Sequence, residues 1–258
     1  MKMYVLEVGE LCLDYWLITP GADDGERVHV PLYSFLIETD LGEALLVDTG
    51  PTLEEIATGN VSRRHNADEF VGSVTREVVL CAREEDYLLR QLALLDVYPN
   101  DVKHVVNTHY ALGHAGNNLS FPNATFYVHD AALAEAEQAA GHPAVNELLA
   151  HGVRVARTED GDEIVPGVRV LHTPGHGPFQ QSVSVDLPES GLHVLCGDAI
   201  PSEDSLRLAA WANHGDPANA SASAARLQAL SDEKAGRLVY GHDVGQARSL
   251  RRAPFAYV

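Results

Sequence analysis

The chain has 258 residues, enough for one large domain, and its 45% hydrophobic content is ordinary for a protein with a buried core. A net charge of −19 opposes nucleic acid and anionic membrane as partners, since both present phosphate, and it disfavours a strongly anionic substrate unless a local basic pocket overrules it. No apolar run approaches the ~20 residues of a membrane-spanning helix, which leaves a small molecule as the expected partner.

The opening stretch Met1 to Val8 alternates like a strand and lacks a signal peptide's apolar block and cleavage site. Met3 to Val8, Leu11 to Leu17, Leu32 to Thr39 and Glu43 to Asp48 read as antiparallel strands with glycine at the breaks. Residues 51–82 are irregular, with Gly59-Asn60 breaking the pattern, and read as a loop or partial helix over a site. Glu84 to Asp96 places Tyr87, Leu88, Leu89, Leu92 and Leu95 at helical spacing, and Pro99 stops it. Val102 to Asn107 is a short apolar strand. Thr125 to Val128 is another, followed by an Ala/Glu-rich helix ending at Gly141-His142-Pro143. Strands recur around 152–156, 164–172, 181–187 and 193–197. Asp216-Pro217 supplies a helix N-cap and first position, and that helix runs to about Leu230 before a last strand at 237–240.

Strands followed by helices thus occur twice. That order predicts an α/β (α+β) chain folded as a four-layer αβ/βα sandwich. With neither linker nor short-period repeat, residues 1–258 read as one domain. Cys12, Cys81 and Cys196 are odd in number and far apart, so a disulfide framework is not expected and a reducing cytoplasm is. Cys196 reads as a small buried hydrophobe. The excess of Arg over Lys, with abundant Ala, points to a GC-rich bacterial genome.

Five motifs carry the chemistry. Ala44-Leu45-Leu46-Val47-Asp48-Thr49-Gly50 is an apolar strand entering a turn, and Thr108-His109-Tyr110-Ala111-Leu112-Gly113-His114 is a second turn. His172-Thr173-Pro174-Gly175-His176 follows, then Val194-Leu195-Cys196-Gly197-Asp198 and Leu238-Val239-Tyr240-Gly241-His242-Asp243. In order and spacing this set resembles the metallo-β-lactamase superfamily, most closely its N-acyl homoserine lactonase branch, over nearly the whole chain. The resemblance implies the same four-layer sandwich. It also exposes a departure: the family's turn reads His-x-His-x-Asp-His, and here the second histidine is Ala111 and the aspartate is Gly113. Neither can donate electrons to a metal.

Carried over position by position, the family's first metal site keeps His109, His176 and Asp198, and its second keeps His114, Asp198 and His242. Three protein ligands and a water suit a catalytic zinc. Two zinc ions sharing five ligands and a single carboxylate are poorly balanced in charge, so zero or one ion is expected over two. Restoring histidine at Ala111 and aspartate at Gly113 is expected to raise the content towards two. His114, His242 and Asp198 are the candidate catalytic groups. The lactonase tyrosine that helps polarise the substrate carbonyl is Pro201 here, and the Gly-His-x-Ser repeat after the metal histidine is absent from Gly177 to Ser182. Ala111 and Gly113 leave volume where ligands stood. Trp211, Asn213 and His214 lie in a lid-like segment, with a packed-helix role equally open to Trp211. His65, His129, His142 and His193 carry no assigned role.

Three functional readings follow. One is a single-metal hydrolase of a lactone, ester or thioester. A second is a metal-independent biosynthetic enzyme using the pocket histidines as acid and base. The third is a binding protein that keeps the cleft and not the chemistry.

Overall fold

The computed structural model describes residues 1–21, 25–60, 78–111, 113–138 and 142–258. A long antiparallel pair, β1 (Lys2–Asp14) and β2 (Arg27–Glu38), starts the first sheet. Along β2, Tyr33, Phe35 and Ile37 face one core while Leu32 and Leu36 face another, the period-two alternation of a strand buried on both sides. The expected break at Gly9 is a bulge within one strand. The register shifts between Glu7 and Gly9, so Leu6 and Val8 before it and Leu11 and Leu13 beyond it reach the same core although the parity has changed. The predicted strand to Leu17 ends at Asp14, whose carboxylate accepts from Trp16 N at 3.0 Å and caps a short 3₁₀ turn.

β3 (Ala44–Val47), α1 (Leu53–Thr58) and β4 (Val79–Cys81) come next. α1 begins with a capping box between Thr52 and Glu55, which gives part of the irregular 51–82 stretch a helix. Residues 61–77 of the loop expected there lie outside the described residues. The helix predicted over 84–96 is a 3₁₀ turn followed by α2 (Leu88–Leu94), because Asp86 turns back to accept from Arg83 N at 2.8 Å. After β5 (Val102–Val106) and β6 (Thr125–His129) come α3 (Asp130–Ala136) and a helix the sequence reading lacked, α4 (Pro143–Ala150). Pro143 starts α4 rather than ending its predecessor, with His142 accepting from Val145 N at 3.4 Å.

β7 (Arg154–Thr158) closes the first sheet, whose order is β4-β1-β2-β3-β5-β6-β7. The single strand expected over 164–172 is a hairpin, β8 (Glu163–Val165) and β9 (Val168–His172), because Pro166-Gly167 makes a two-residue turn between the Val165–Val168 pair. β10 (Gln181–Leu187), β11 (Gly191–Leu195), α5 (Glu203–Arg207), α6 (Pro217–Glu233), β12 (Arg237–Val239) and α7 (Val244–Ala247) complete the chain. The second sheet runs β12-β11-β10-β9-β8. Asp216 caps α6 by accepting from Ala218 and Asn219 N, as its sequence predicts.

Val5, Phe35, Ile37, Leu45 and Val106 of the first sheet meet Val168, Val170, Val183, Val185 and Leu195 of the second in one apolar layer. Leu88, Leu92, Val145 and Leu148 from helices cover the first sheet's other face, while Ala220, Ala224 and Leu227 of α6 cover the second's. These are the four layers predicted. Cys196 is fully buried in the α6 layer, where burial raises its thiol pKa.

One buried group at a strand end gives stability a pH dependence. His129 accepts from Ala131 N at 3.1 Å and stacks on His172 with ring centres 3.7 Å apart. Burial first, and His172 next, push its pKa from 6.5 down to about 4. Between those values the unfolded chain binds the extra proton, so this contribution is complete above about pH 6.5 and is lost as pH falls towards about 4. The melting temperature should therefore drop on acidification. His129→Asn, which keeps a capping acceptor, should flatten the profile by on the order of 1 kcal/mol. Parallel profiles for the two proteins would contradict this.

Candidate functional site

Five strands deliver their C-terminal ends to one place. Asp48 follows β3, His109 and His114 follow β5, His176 follows β9, Asp198 follows β11 and His242 follows β12. The structure brings together all five side chains singled out in the sequence, and each is buried or nearly so.

Asp198 is the hub. Its Oδ2 lies 3.8 Å from His109 Nε2 and 3.5 Å from His176 Nε2, while Oδ1 lies 3.8 Å from His114 Nε2 and 3.1 Å from His242 Nε2. Each carboxylate oxygen thus faces one of the two histidine pairs. Potential ligand atoms of His109, His114 and Asp198 all lie within 4.8 Å of one another, a grouping that crosses between those pairs.

Contacts on the far side of the rings fix the tautomers. His242 Nδ1 lies 2.9 Å from Pro31 O, a pure acceptor, so Nδ1 carries the hydrogen. Asp48 was read from sequence only as a strand-end turn; its Oδ2 lies 2.8 Å from His114 Nδ1 and imposes the same tautomer there. Thr108 donates its hydroxyl to Asp48 Oδ2 at 2.9 Å, leaving its oxygen to accept from His109 Nδ1 at 3.2 Å. Thr108 N also donates to Asp48 Oδ1 at 2.7 Å. Asp48 itself sits at φ 62, an uncommon backbone conformation for a residue other than glycine. The only sequence signal for its role was a carboxylate ending an apolar strand.

The neutral forms of His109, His114 and His242 therefore turn Nε2 lone pairs toward Asp198, whose buried Oδ1 makes no hydrogen bond. Burial pushes His109 well below its ordinary pKa and lowers His176 too. Burial alone would raise Asp198, and it is the positive charge that His242, His109 and His176 carry when protonated that outweighs burial and holds the carboxyl well below its usual range. Acceptors facing acceptors in a dry pocket need a positive charge between them. Imidazoles around a carboxylate are a donor set that suits zinc, so the residues fit the metal that the resemblance implies.

Glycines make the approach possible at two points. A Cβ on Gly241 would stand 2.6 Å from Gly197 O, so the turns carrying Asp198 and His242 could not close as they do. A Cβ on Gly175 would stand 2.3 Å from the Ala220 backbone, at φ +143.

Ala111 and Gly113, expected from sequence to leave volume at the metal site, open elsewhere. Ala111 and Gly113 line a cleft of ≈ 430 Å³ with Thr52, Glu55, Leu119 and Glu147, and none of the five convergent residues lines it. Gly113 has φ +90, and a Cβ there would meet Leu32 Cδ1 at 3.2 Å. An aspartate at 113 thus needs both a strained backbone and movement of Leu32. Pro201, where the resemblance implies a tyrosine, meets the site through its carbonyl, which accepts from His242 N at 2.7 Å. Trp211 packs in the α6 layer and also meets His214 edge-on, ring centres 5.4 Å apart. Asn213 donates to Leu17 O.

Of the histidines left without a role, His142 and His129 cap helices, and His65 lies outside the described residues. His129, Asp130 and His172 form a second group with ligand atoms within 4.8 Å. There the two imidazoles are stacked at 18°, so their ring nitrogens run alongside one another rather than converge, and Ala131 N–H already occupies His129 Nδ1.

A family profile described as the metallo-beta-lactamase superfamily matches residues 29–242. The N-acyl homoserine lactonase AiiA of Bacillus thuringiensis subsp. kurstaki is 29% identical over 262 residues, covering 98% of this chain and 97% of that one. The N-acyl homoserine lactonase AttM of Azorhizobium caulinodans is 28% identical over 268 residues, covering 100% and 98%. A solved N-acyl homoserine lactone hydrolase, with the product N-hexanoyl-L-homoserine at its catalytic metal center, superposes with a TM-score of 0.83 at 26% identity, covering 99% and 98%. The chain belongs to the metallo-β-lactamase superfamily. Its relatives within it include lactonases that match it from end to end. Among the described residues no helix is long and apolar enough to cross a membrane.

Gly175→Ala should cost about 2–4 kcal/mol, since the added methyl meets backbone at a positive φ and must push α6 off the turn that carries His176. Denaturant unfolding reads this directly; a loss below about 0.5 kcal/mol would show that the turn and α6 separate freely.

Proposed function

We propose that this protein is a metal-dependent hydrolase of small lactones, esters or thioesters, working with at most one firmly held transition metal. The observation that carries the reading is the division of Asp198, Oδ2 toward His109 and His176 and Oδ1 toward His114 and His242. The lactonase relatives support the reaction class. Zinc bound here would polarise a substrate carbonyl and lower the pKa of a bound water.

The chain's own groups then have distinct tasks. His109, His176 and Asp198 are the preferred ligand set, two imidazoles and a carboxylate. His114, held by Asp48 through Nδ1, and His242, held by Pro31 O, keep Nε2 on the other side of the carboxylate, where each can take or return a proton. Asp198 supplies the balancing negative charge and holds both pairs in register. A second divalent ion is disfavoured because Gly113 brings no carboxylate to the His114–His242 side, and repulsion between two such ions a few ångströms apart is then poorly offset.

Elemental analysis of dialysed protein should return no more than one equivalent of transition metal. Two equivalents, with both ions resolved in a crystal, would overturn the stoichiometry. Gly113→Asp alone should not raise the metal content, given φ +90 and Leu32 at 3.2 Å.

Ring opening of N-acyl homoserine lactones should be detectable and slow, below the ~10 per second typical of a well-adapted enzyme. Pro201 offers no hydroxyl to the developing oxyanion, and loss of one such donor commonly costs ~3–4 kcal/mol. Turnover at or above that rate would show that another group has taken over the task. No turnover across lactones, esters and thioesters, with metal loaded, would remove the hydrolase reading.

A further inference from the structure

Ala111 leaves the His109–His176–Asp198 group one imidazole short of the set that the family's turn provides. Against His176 packs a histidine that the family pattern does not include. His214 is 3% exposed, and neither its Nδ1 nor its Nε2 makes a hydrogen bond. Buried imidazole nitrogens ordinarily have a partner, because leaving them unsatisfied is costly. His214 therefore has a lone pair to give and no protein group taking it.

Its position suits a ligand. The His214 ring centre is 5.4 Å from that of His176, with the planes at 83°. His176 stands in nearly the same relation to His109, at 5.0 Å and 79°. Two imidazoles sharing a tetrahedral zinc at a Zn–N distance of about 2.1 Å have ring centres roughly 5 Å apart. The pair His176–His214 thus repeats the spacing of the pair already assigned to one ion.

The position is also built rather than incidental. Gly215 N donates to His176 O at 3.2 Å and Asp216 N donates to Gly175 O at 2.8 Å, which ties the segment after His214 to the turn carrying His176. His214 N donates to Trp211 O at 3.0 Å, and the Trp211 indole packs edge-on against the His214 ring. The same docking brings Ala220 of α6 against Gly175.

We propose that His214 supplies, from the segment after Asp198, the nitrogen ligand that Ala111 no longer supplies from the turn. The family's site would then be preserved in number and altered in origin, with His109, His176, His214 and Asp198 around one ion. This rests on the metal-dependent reading above, and the test separates the two.

Metal-free wild type, His214→Ala and His214→Gln are titrated with Zn²⁺ by calorimetry and with Co²⁺ by visible absorption, and their metal-free melting temperatures are compared. Wild type should bind one ion. Both variants should bind it more weakly, by at least the ~10–100-fold that loss of a partner behind a ligand costs, with an altered cobalt spectrum and metal-free melting temperatures close to wild type. Added imidazole should restore the cobalt spectrum of His214→Ala, whose cavity can admit it, and not that of His214→Gln. If His214→Ala does not fold, His214→Gln alone decides by its affinity and spectrum. Wild type that binds neither metal would sink the metal-dependent reading itself. Wild type that binds, with variants of equal affinity and unchanged cobalt spectrum, would overturn the role of His214. So would a loss of affinity matched by a loss of metal-free stability, with no imidazole rescue.

Discussion

Everything at the site is organised by one buried carboxylate. Asp198 is 8% exposed and lies within 3.8 Å of four imidazole nitrogens, at least three of which face it with lone pairs in their neutral tautomers. An ionised carboxylate removed from water costs several kcal/mol unless charge and hydrogen bonds compensate. Pro31 O, Asp48 and Thr108 hold the donating Nδ1 positions of His242, His114 and His109 outward. The inner nitrogens have no hydrogen left to give without becoming cations. The pocket is therefore stable as a pocket only when a positive charge sits inside it, whether a proton shared among the rings or a metal ion. A protonated imidazole meets that constraint as well as a metal ion does, and the donor set is one that suits zinc.

The fold meets the constraint by geometry. Parallel pairing of β3 with β5 and of β11 with β12 brings strand C-termini from both sheets to one edge, where turns can project side chains between the layers. Burial of Val5, Phe35, Ile37 and Val47 against Val170, Val183 and Val185 locks the sheets' spacing. A one-residue slip in β3, β5, β9, β11 or β12 would invert its face and displace the site residue carried at its end. Stability and site thus depend on the same register, and the bulge at Gly9 serves the core by restoring the core-facing set after a change of parity.

Much of this was legible in the sequence because the signals were local. Apolar runs ending in Asp48, His109, His176, Asp198 and His242 marked the strand ends, and Asp216-Pro217 marked α6. What was not legible depended on contacts distant in sequence. The service of Asp48 to His114 spans 66 residues, and no local pattern distinguishes a turn aspartate from one that orients a histidine. The opening strands were read as two because glycine marks both a break and a bulge, and only the partner strand decides between them. α4 was missed because Pro143 was read as a stop when it is a first helical position. His214 appeared as one residue of a lid; its burial against His176 follows from backbone hydrogen bonds to residues 175 and 176.

The altered turn has a physical logic of its own. Gly113 brings no negative charge to the His114 side of the pocket, while Asp48 behind His114 keeps one carboxylate nearby at 2.8 Å. That carboxylate can strengthen His114 as a base or a ligand, but it cannot itself reach across the ring to a metal. The two halves have therefore become unequal. The His109–His176 side has a buried histidine beside it, whereas the His114–His242 side has imidazoles oriented by Asp48 and Pro31 O. Gly113 at φ +90, with Leu32 filling the space a Cβ would need, fixes that asymmetry in the backbone rather than in one side chain. On the function proposed above, a pocket so divided would take one ion on one side of Asp198 and carry proton transfer on the other.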